Sequence, residues 1–414
     1  MLVRAGEALA ARPVAEIVSV LAVAAARWRD PADPVRREGE AALARHHRVS
    51  EVAIARILDA GFGAWTAEAL LDRAAVELGD ARALDGFVQL GRARRMAVGP
   101  RLAVALSSRG VPTTPVGDAI DLLSVKSPVW LKPATGADDL AARFARTLSE
   151  IDPEIGQAIE VSGWPRGSPE AAAVLGAAEL VVATGRGETL AELGRVAGAG
   201  ARLVLHGPRL SAAILTREAL DDPAACVAAL ADDVAFAGQA GCLSPVVAWI
   251  EDPEGERLLE SVHRACVERW PAPARREGEA VERAAWSEWS SLASVERAAG
   301  VAGAVAGEAD SGWSVQWRAR PEPPAPPPAP RILVLAPVDD AERVAELCAQ
   351  VRGSVATIGV AGPRSRVERI ARPLALAGVE RVARLGRMQE PPADWRRDGR
   401  PSIADLVRWV DLEG

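Results

Sequence analysis

The stretch VWLKPATGADDLAARFARTLSEI (residues 129–151) passes from a short apolar run into an amphipathic helix across one loop. Val129, Trp130 and Leu131 make the run. Leu140, Phe144 and Leu148 then recur four apart on one helical face, and Asp138 or Asp139 stands where a carboxylate caps or charges a helix start. The same texture repeats on both sides. RLAVALSS (101–108) comes before it, and ELVVATG (179–185), RLVLHG (202–207), VVAWIE (246–251), RILVLAPV (331–338) and VATIGVAG (355–362) come after, with helical stretches between. Strands that are apolar throughout, joined by helices, predict parallel sheets covered on both faces. The fold class expected is α/β.

Upstream of this region the first ninety residues read as Ala-rich helices, with Ile54, Ile57 and Leu58 at helical spacing. Val14 to Ala26 is apolar, but Glu16 interrupts it and Arg27 and Arg29 follow. It is too short to span a bilayer and reads as an amphipathic helix, not as a secretory signal. Downstream, RPEPPAPPPAPR (320–331) predicts an extended linker or surface loop, since proline lacks the ladder donor. IADLVRWVDLE (403–413) reads as a short amphipathic helix with Leu406, Val407 and Val410 inward.

A chain of 414 residues is long enough for two or three cores, and 49 % apolar with 25 % charged residues argues against disorder. The net charge of −7 speaks against a general nucleic-acid binder. Cys226, Cys242, Cys266 and Cys348 show neither CxxC nor His-clustered spacing, so no metal site or disulfide framework is expected, and a reducing cytoplasm is.

The chemistry concentrates in DDVAFAGQAGCLSPVVAWIE (232–251), where a helix runs into a Gly-punctuated loop (Gly238 to Gly241), then Cys242, Ser-Pro and a buried strand. Ala240 and Gly241 leave room for a carbonyl to approach the sulfur and the local N–H groups, and such donors are worth roughly 2.7–4 kcal/mol each in a transition state. The other three cysteines sit inside helical patterns and read as small buried hydrophobes. His46-His47 reads as a solvated helix face. Trp286, Trp289, Trp313 and Trp317 read as packing residues, with an acyl tunnel as the other use.

GQAGCLSP resembles the nucleophile loop of the LuxC-type acyl-CoA reductases, a branch of the aldehyde dehydrogenase superfamily. From about Gly86 onward RLAVALSSRGVP, SPVWLKPAT, ELVVATGRGET, LVLHGPRLSAAIL and LGRMQEPPADWRRDGRPSIADLVRWVD follow in that family's order. The resemblance implies an aldehyde dehydrogenase-like fold of two Rossmann-like α/β domains behind a helical N-terminal segment (1–90). A cofactor-binding domain (91–203) would precede a catalytic domain (204–385) carrying the Pro-rich insertion 320–331, and a tail (386–414) would pack back on the cofactor domain. The active site would lie in the cleft between the domains.

It also implies a reaction. Cys242 would attack an acyl-CoA, a long-chain fatty one first, and hold the acyl group as a thioester until hydride reduces it to the aldehyde. Lys132 stands where the superfamily's lysine binds the adenosine ribose. Thr135 occupies the place of an acidic residue that grips a 2′-hydroxyl in NAD-using relatives, so NADPH is the first cofactor expected and NADH the second. Thr184, Gly185, Arg186, Gly187 and Thr189 form a strand-to-helix turn able to present N–H groups to a phosphate, which a generic turn would also do. His206 falls where hydrolytic relatives carry a water-activating glutamate. It can carry protons for Cys242 or the departing CoA, or simply cap a strand.

Two departures stand out. Gly110 replaces the Asn before Val111-Pro112, leaving the oxyanion to backbone donors such as the Cys242 N–H, or to Ser108 or Arg109, and Lys126-Ser127 replaces a Gly-Asn pair. Other readings of the chain are an acyl-phosphate (semialdehyde-forming) reductase, a catalytically degenerate scaffold, and a cofactor-free acyltransferase or thioesterase. Partners implied by the family are an acyl-activating enzyme and further copies of the chain in a homo-oligomer.

Overall fold

The computed structural model describes residues 2–413 except 199, 272–279, 301 and 308–311. The chain divides into two compact units. The first comprises Met1–His46, Ile54–Pro208 and Glu390–Gly414, and the second His47–Ala53 and Arg209–Gln389.

The chain opens with helices Leu2–Ala11, Val14–Arg29, Pro34–His47, Glu51–Gly63 and Ala67–Leu78. Val14–Arg29 is amphipathic as expected and buries Val14, Ile17, Val18, Leu21 and Trp28. Trp28 stacks on Phe62 with ring centres 5.6 Å apart, and Phe62 meets Phe144 at 6.0 Å. The indole N–H of Trp28 donates to Thr147 Oγ1 at 3.1 Å. These contacts seat the N-terminal helices on helix Leu140–Ile151, whose buried face includes Leu140, Phe144 and Leu148, and whose Leu140 N–H donates to Asp138. Among the described residues no single helix is long and apolar enough to cross a membrane; Leu2–Ala11 and Val14–Arg29 reach that length and hydropathy only as a pair bent by 116°.

Strands β1 (Val88–Leu90) and β2 (Ala93–Val98) form an antiparallel hairpin. Then come β3 (Ala103–Leu106), β4 (Val129–Lys132), β5 (Ile159–Val161), β6 (Leu180–Thr184) and β7 (Arg202–His206), which form an all-parallel sheet in the order β5-β4-β3-β6-β7. The chain winds outward from β3 through β4 to β5, then crosses to the other side of β3 for β6 and β7. The order reverses between β3 and β6, and ligands of open α/β sheets bind outside the carboxyl ends of strands at such a reversal.

The second unit holds β8 (Leu210–Leu215), β9 (Pro245–Ile250), β10 (Ala302–Ala306), β11 (Ser314–Arg318), β12 (Ile332–Pro337), β13 (Val355–Ala361) and β14 (Arg381–Arg384). Their order is β10-β11-β12-β9-β8-β13-β14, parallel except for the edge pair β10–β11. Ile214, Trp249, Ile358 and Val360 pack against Val344, Cys348, Ile370 and Leu374 of two covering helices. The Pro-rich stretch takes neither helix nor strand between β11 and β12. It is anchored all the same: Glu322 O accepts the Trp249 indole N–H at 3.3 Å, and Ala329 packs with Trp286, Trp289 and Ile332.

The segment Glu390–Gly414 returns to the first unit. The helix expected over 403–413 does not form. Arg408–Leu412 is a strand, β15, antiparallel to β2 with Trp409 opposite Ala97 and Val410 opposite Met96. An isolated helix of that length is marginal, whereas the edge of β2 satisfies the segment's backbone at once. Leu406 and Val407 are buried as expected, but Val410 is only half-buried. The Glu77 carboxylate accepts the N–H groups of Ser402, Ile403 and Ala404, fixing the approach to the strand.

Candidate active site

In the second unit, helix Pro223–Val234 ends in a tight turn in which Ala237, Gly238 and Gln239 all have positive φ (49°, 64° and 63°). Three left-handed residues in succession reverse the chain just before Cys242. Gly238 is there by necessity: a Cβ would stand 2.7 Å from Trp270 Nε1. Gln239 is buried, and its amide donates to the carbonyls of Pro245 and Ile332 (2.9 Å each) and accepts the Ile332 N–H at 3.0 Å. One side chain thereby ties the loop to the starts of β9 and β12. Ser211, buried at the start of β8, donates its hydroxyl to the Cys242 carbonyl at 2.6 Å. The cysteine's backbone is pinned while its side chain stays exposed.

The other cysteines contrast with it. Cys226, Cys266 and Cys348 are buried in helices Pro223–Val234, Leu259–Arg269 and Val344–Gln350. Burial pushes all three thiols up, Cys266 and Cys348 to about 12. The thiolate is the nucleophile, so these three are chemically quiet at neutral pH.

In the first unit the other sequence candidates gather along the carboxyl ends of the parallel strands. Lys132 ends β4 with its Nζ 5.8 Å from the centre of the Trp164 ring, and Trp164 meets Trp130 edge-on. Thr184 ends β6 and pairs with His206, the last residue of β7; the Gly185 N–H donates to the His206 carbonyl at 3.1 Å. Arg186, Gly187 and Thr189 are exposed at the first turn of helix Gly187–Val196. The Arg186 side chain makes no cap there, and a Cβ on Gly187 would meet nothing within 4 Å, so an anion can approach the backbone. Arg109, beyond β3, donates to Thr135 O at 3.0 Å. A cation beside Thr135, a lysine at the end of β4 and an open helix start at the strand-order reversal together fit a dinucleotide phosphate. Lys126, by contrast, is buried at positive φ and ion-pairs with Asp85 at 2.6 Å, an anchoring role.

His206 is mostly buried, and its Nδ1 lies 2.6 Å from Asp398 Oδ2. The neighbouring Arg397 donates to Thr184 Oγ1 at 2.9 Å and stands 3.6 Å from Asp118 Oδ1. Burial raises the Asp118 pKa, against the pull of Arg397, His206 and Ser107. Asp398, Arg397, Asp118 and Gln239 were not singled out from the sequence. Asp398 and Arg397 lie more than 190 residues along the chain from their partners, and only GQAGC itself could have pointed to Gln239. Among the described residues no group of His, Cys, Asp and Glu is arranged to hold a metal ion.

The family model described as acyl-CoA reductase (LuxC) matches residues 9–409. The chain belongs to the LuxC acyl-CoA reductase family. No protein of curated function matches it. Among solved structures it is similar to an NAD-dependent benzaldehyde dehydrogenase from Corynebacterium glutamicum (TM-score 0.70, 17 % identity, covering 100 % of this chain and 88 % of that one). It is also similar to an NADP-dependent glyceraldehyde-3-phosphate dehydrogenase from Bacillus halodurans, solved in complex with NADP (0.70, 14 %, 99 % and 90 %). A third is the Δ-pyrroline-5-carboxylate dehydrogenase from Mycobacterium tuberculosis (0.68, 14 %, 99 % and 81 %). Identities this low speak for the fold, which is aldehyde dehydrogenase-like with parallel sheets and a helical N-terminal segment. Family membership makes this LuxC-type chain an oxidoreductase of the acyl-CoA reductase class.

Proposed function

We propose that this LuxC-family chain reduces a long-chain fatty acyl-CoA to the aldehyde with NADPH, through a thioester on Cys242. The observation that carries the reading is the contrast among the cysteines: one sulfur is exposed on a pinned, strained loop, and three are buried in helices.

In the first half-reaction the Cys242 sulfur forms a bond to the acyl carbon and the carbon–sulfur bond to CoA breaks. His206 is the proton carrier, taking up the thiol proton and delivering it to the CoA sulfur. Exchange of one thioester for another is nearly isoenergetic, so the protein's task is positioning and oxyanion stabilisation. With Gly110 in place of an amide side chain, the N–H groups of the Cys242 loop are the donors proposed for the oxygen. When bound, the reduced nicotinamide supplies the hydride that turns the thioester into the alkoxide of a hemithioacetal. Collapse of the hemithioacetal expels the Cys242 thiolate, which takes a proton from the medium and restores the thiol.

Lys132, the turn Thr184–Thr189 and Arg109 are the residues proposed to hold the dinucleotide. Arg109 beside Thr135 supports NADPH over NADH, since a guanidinium there complements a 2′-phosphate. A cytoplasmic location, a homo-oligomer and an acyl-activating partner enzyme complete the proposal.

Intact-mass measurement after incubation with palmitoyl-CoA tests it. An acyl adduct is expected on the wild type, none on Cys242→Ala, and NADPH should discharge the adduct with release of aldehyde. An adduct that persists in the Cys242→Ala variant, or one that NADPH leaves in place, overturns the proposal.

A further inference from the structure

His206 and Asp398 form a dyad whose geometry goes beyond what capping a strand requires. The backbone of His206 is already satisfied by its place in β7, where it pairs with Thr184 and its carbonyl accepts the Gly185 N–H. Its ring nevertheless points Nδ1 at a carboxylate 2.6 Å away, and both side chains are close to nine-tenths buried, at 11 % and 9 % exposed. Asp398 reaches it from a backbone at φ 56°. A side chain in that left-handed region costs about 1–2 kcal/mol for most residues and less for Asp and Asn. The adjacent Arg397 is engaged with Thr184 and Asp118, which holds the turn in place.

We infer that Asp398 is the positioning residue of the site. It accepts the Nδ1–H of His206, fixes that tautomer, and so leaves Nε2 with the lone pair that takes up a proton. Nε2 is then the nitrogen that does the proton-carrying work proposed above for His206. Asp398 remains a carboxylate throughout and stabilises the imidazolium formed between the two transfers. This inference rests on the reading of His206 as proton carrier.

The test uses Asp398→Asn, which keeps both the shape of the side chain and its tolerance of positive φ. It is combined with His206→Gln and with the double variant in the full chain. With four histidines in the sequence, the His206 imidazole signals can be assigned by their loss in His206→Gln. Nitrogen-detected imidazole spectra should show the Nδ1–H form in the wild type, and that form should be lost or mixed in Asp398→Asn while the melting temperature holds. The single-turnover acylation rate with palmitoyl-CoA, read by quenched intact mass, should fall roughly tenfold or more in Asp398→Asn. In the His206→Gln background the same change should cost nothing further. An unchanged tautomer in Asp398→Asn, or an equal loss with and without His206, overturns the inference. A changed tautomer combined with full acylation by both single variants would instead bring down the proton-carrier reading on which it stands.

Discussion

Beyond the carboxyl ends of each large parallel sheet lies a buried carboxylate, and the two are satisfied to very different degrees. In the second unit Glu251 follows β9, and both of its oxygens are taken: Arg217 N–H donates to one at 3.0 Å, Ala341 N–H to the other at 3.1 Å, and the Arg366 guanidinium closes on it. In the first unit Asp118 Oδ2 and Ser107 Oγ meet hydrogen-bond geometry with no described group, although the hydroxyl lies near enough to lower the Asp118 pKa. Arg397 stands 3.6 Å away and is bonded to Thr184. A saturated carboxylate works as a structural lock, whereas incomplete satisfaction leaves hydrogen-bonding capacity at the strand-order reversal, where the cofactor residues are proposed to act.

The contrast can be broken most directly at Glu251. Substitution by Ala leaves the Arg217 and Ala341 N–H groups without their acceptor and reduces Arg366 to its other partners, chiefly Glu342 at 3.0 Å, and should lower the unfolding free energy by about 3–5 kcal/mol in urea melts. A loss below about 1 kcal/mol would mean that the lock is not one.

A third buried carboxylate sharpens the comparison through pH. Burial pushes Asp233 up to about 7, against two bonds from the N–H groups of Gly386 (2.5 Å) and Met388 (3.0 Å) and the charge of Arg381, with Asp232 adding to the rise. The native state therefore keeps a proton that the unfolded chain has already lost above about pH 4. This contribution is complete below the unfolded value and disappears as pH rises through 7, by up to a few kcal/mol. Thermal melts between pH 4 and 8 should show that decline, and the Asp233→Asn variant should show a flatter profile.

Removing the Gln239 amide by Gln239→Ala takes the acceptor from the Ile332 N–H and a donor from the Pro245 and Ile332 carbonyls, and should cost roughly 1–3 kcal/mol in the same melts. The smallest effect is expected at Asp118. Asp118→Asn removes a poorly compensated buried charge, so the unfolding free energy should move by less than about 1 kcal/mol. A loss as large as that of Glu251→Ala would make Asp118 a lock as well.

The sequence revealed the central strands best. RILVLAPV, VVAWIE and VATIGVAG are near-continuous apolar runs, as strands buried in a parallel sheet are, and no turn chemistry is needed to recognise them. Edge strands carry no such mark. In β2 the exposed Arg94 and Arg95 interrupt the apolar pattern, and over 403–413 the spacing of Leu406, Val407 and Val410 imitates a helix. Only an available partner edge makes that segment a strand, and a linear reading cannot see the edge. The site divides in the same way. Cys242 and His206 declare themselves through local residue type, whereas the Asp398 that meets His206 lies 192 positions away and had no signal of its own.

The return of β15 to β2 has a consequence for biosynthesis. On the ribosome most of the first unit emerges before the second, yet its small antiparallel sheet must wait for the partner of β2, more than three hundred residues after that strand. The second unit can reach its native form while the first still lacks that strand, so the first part made is the last completed. A premature stop shortly before Arg408 would release a chain with the open edge of β2 exposed, a defect that chaperones and proteases would meet before any substrate did.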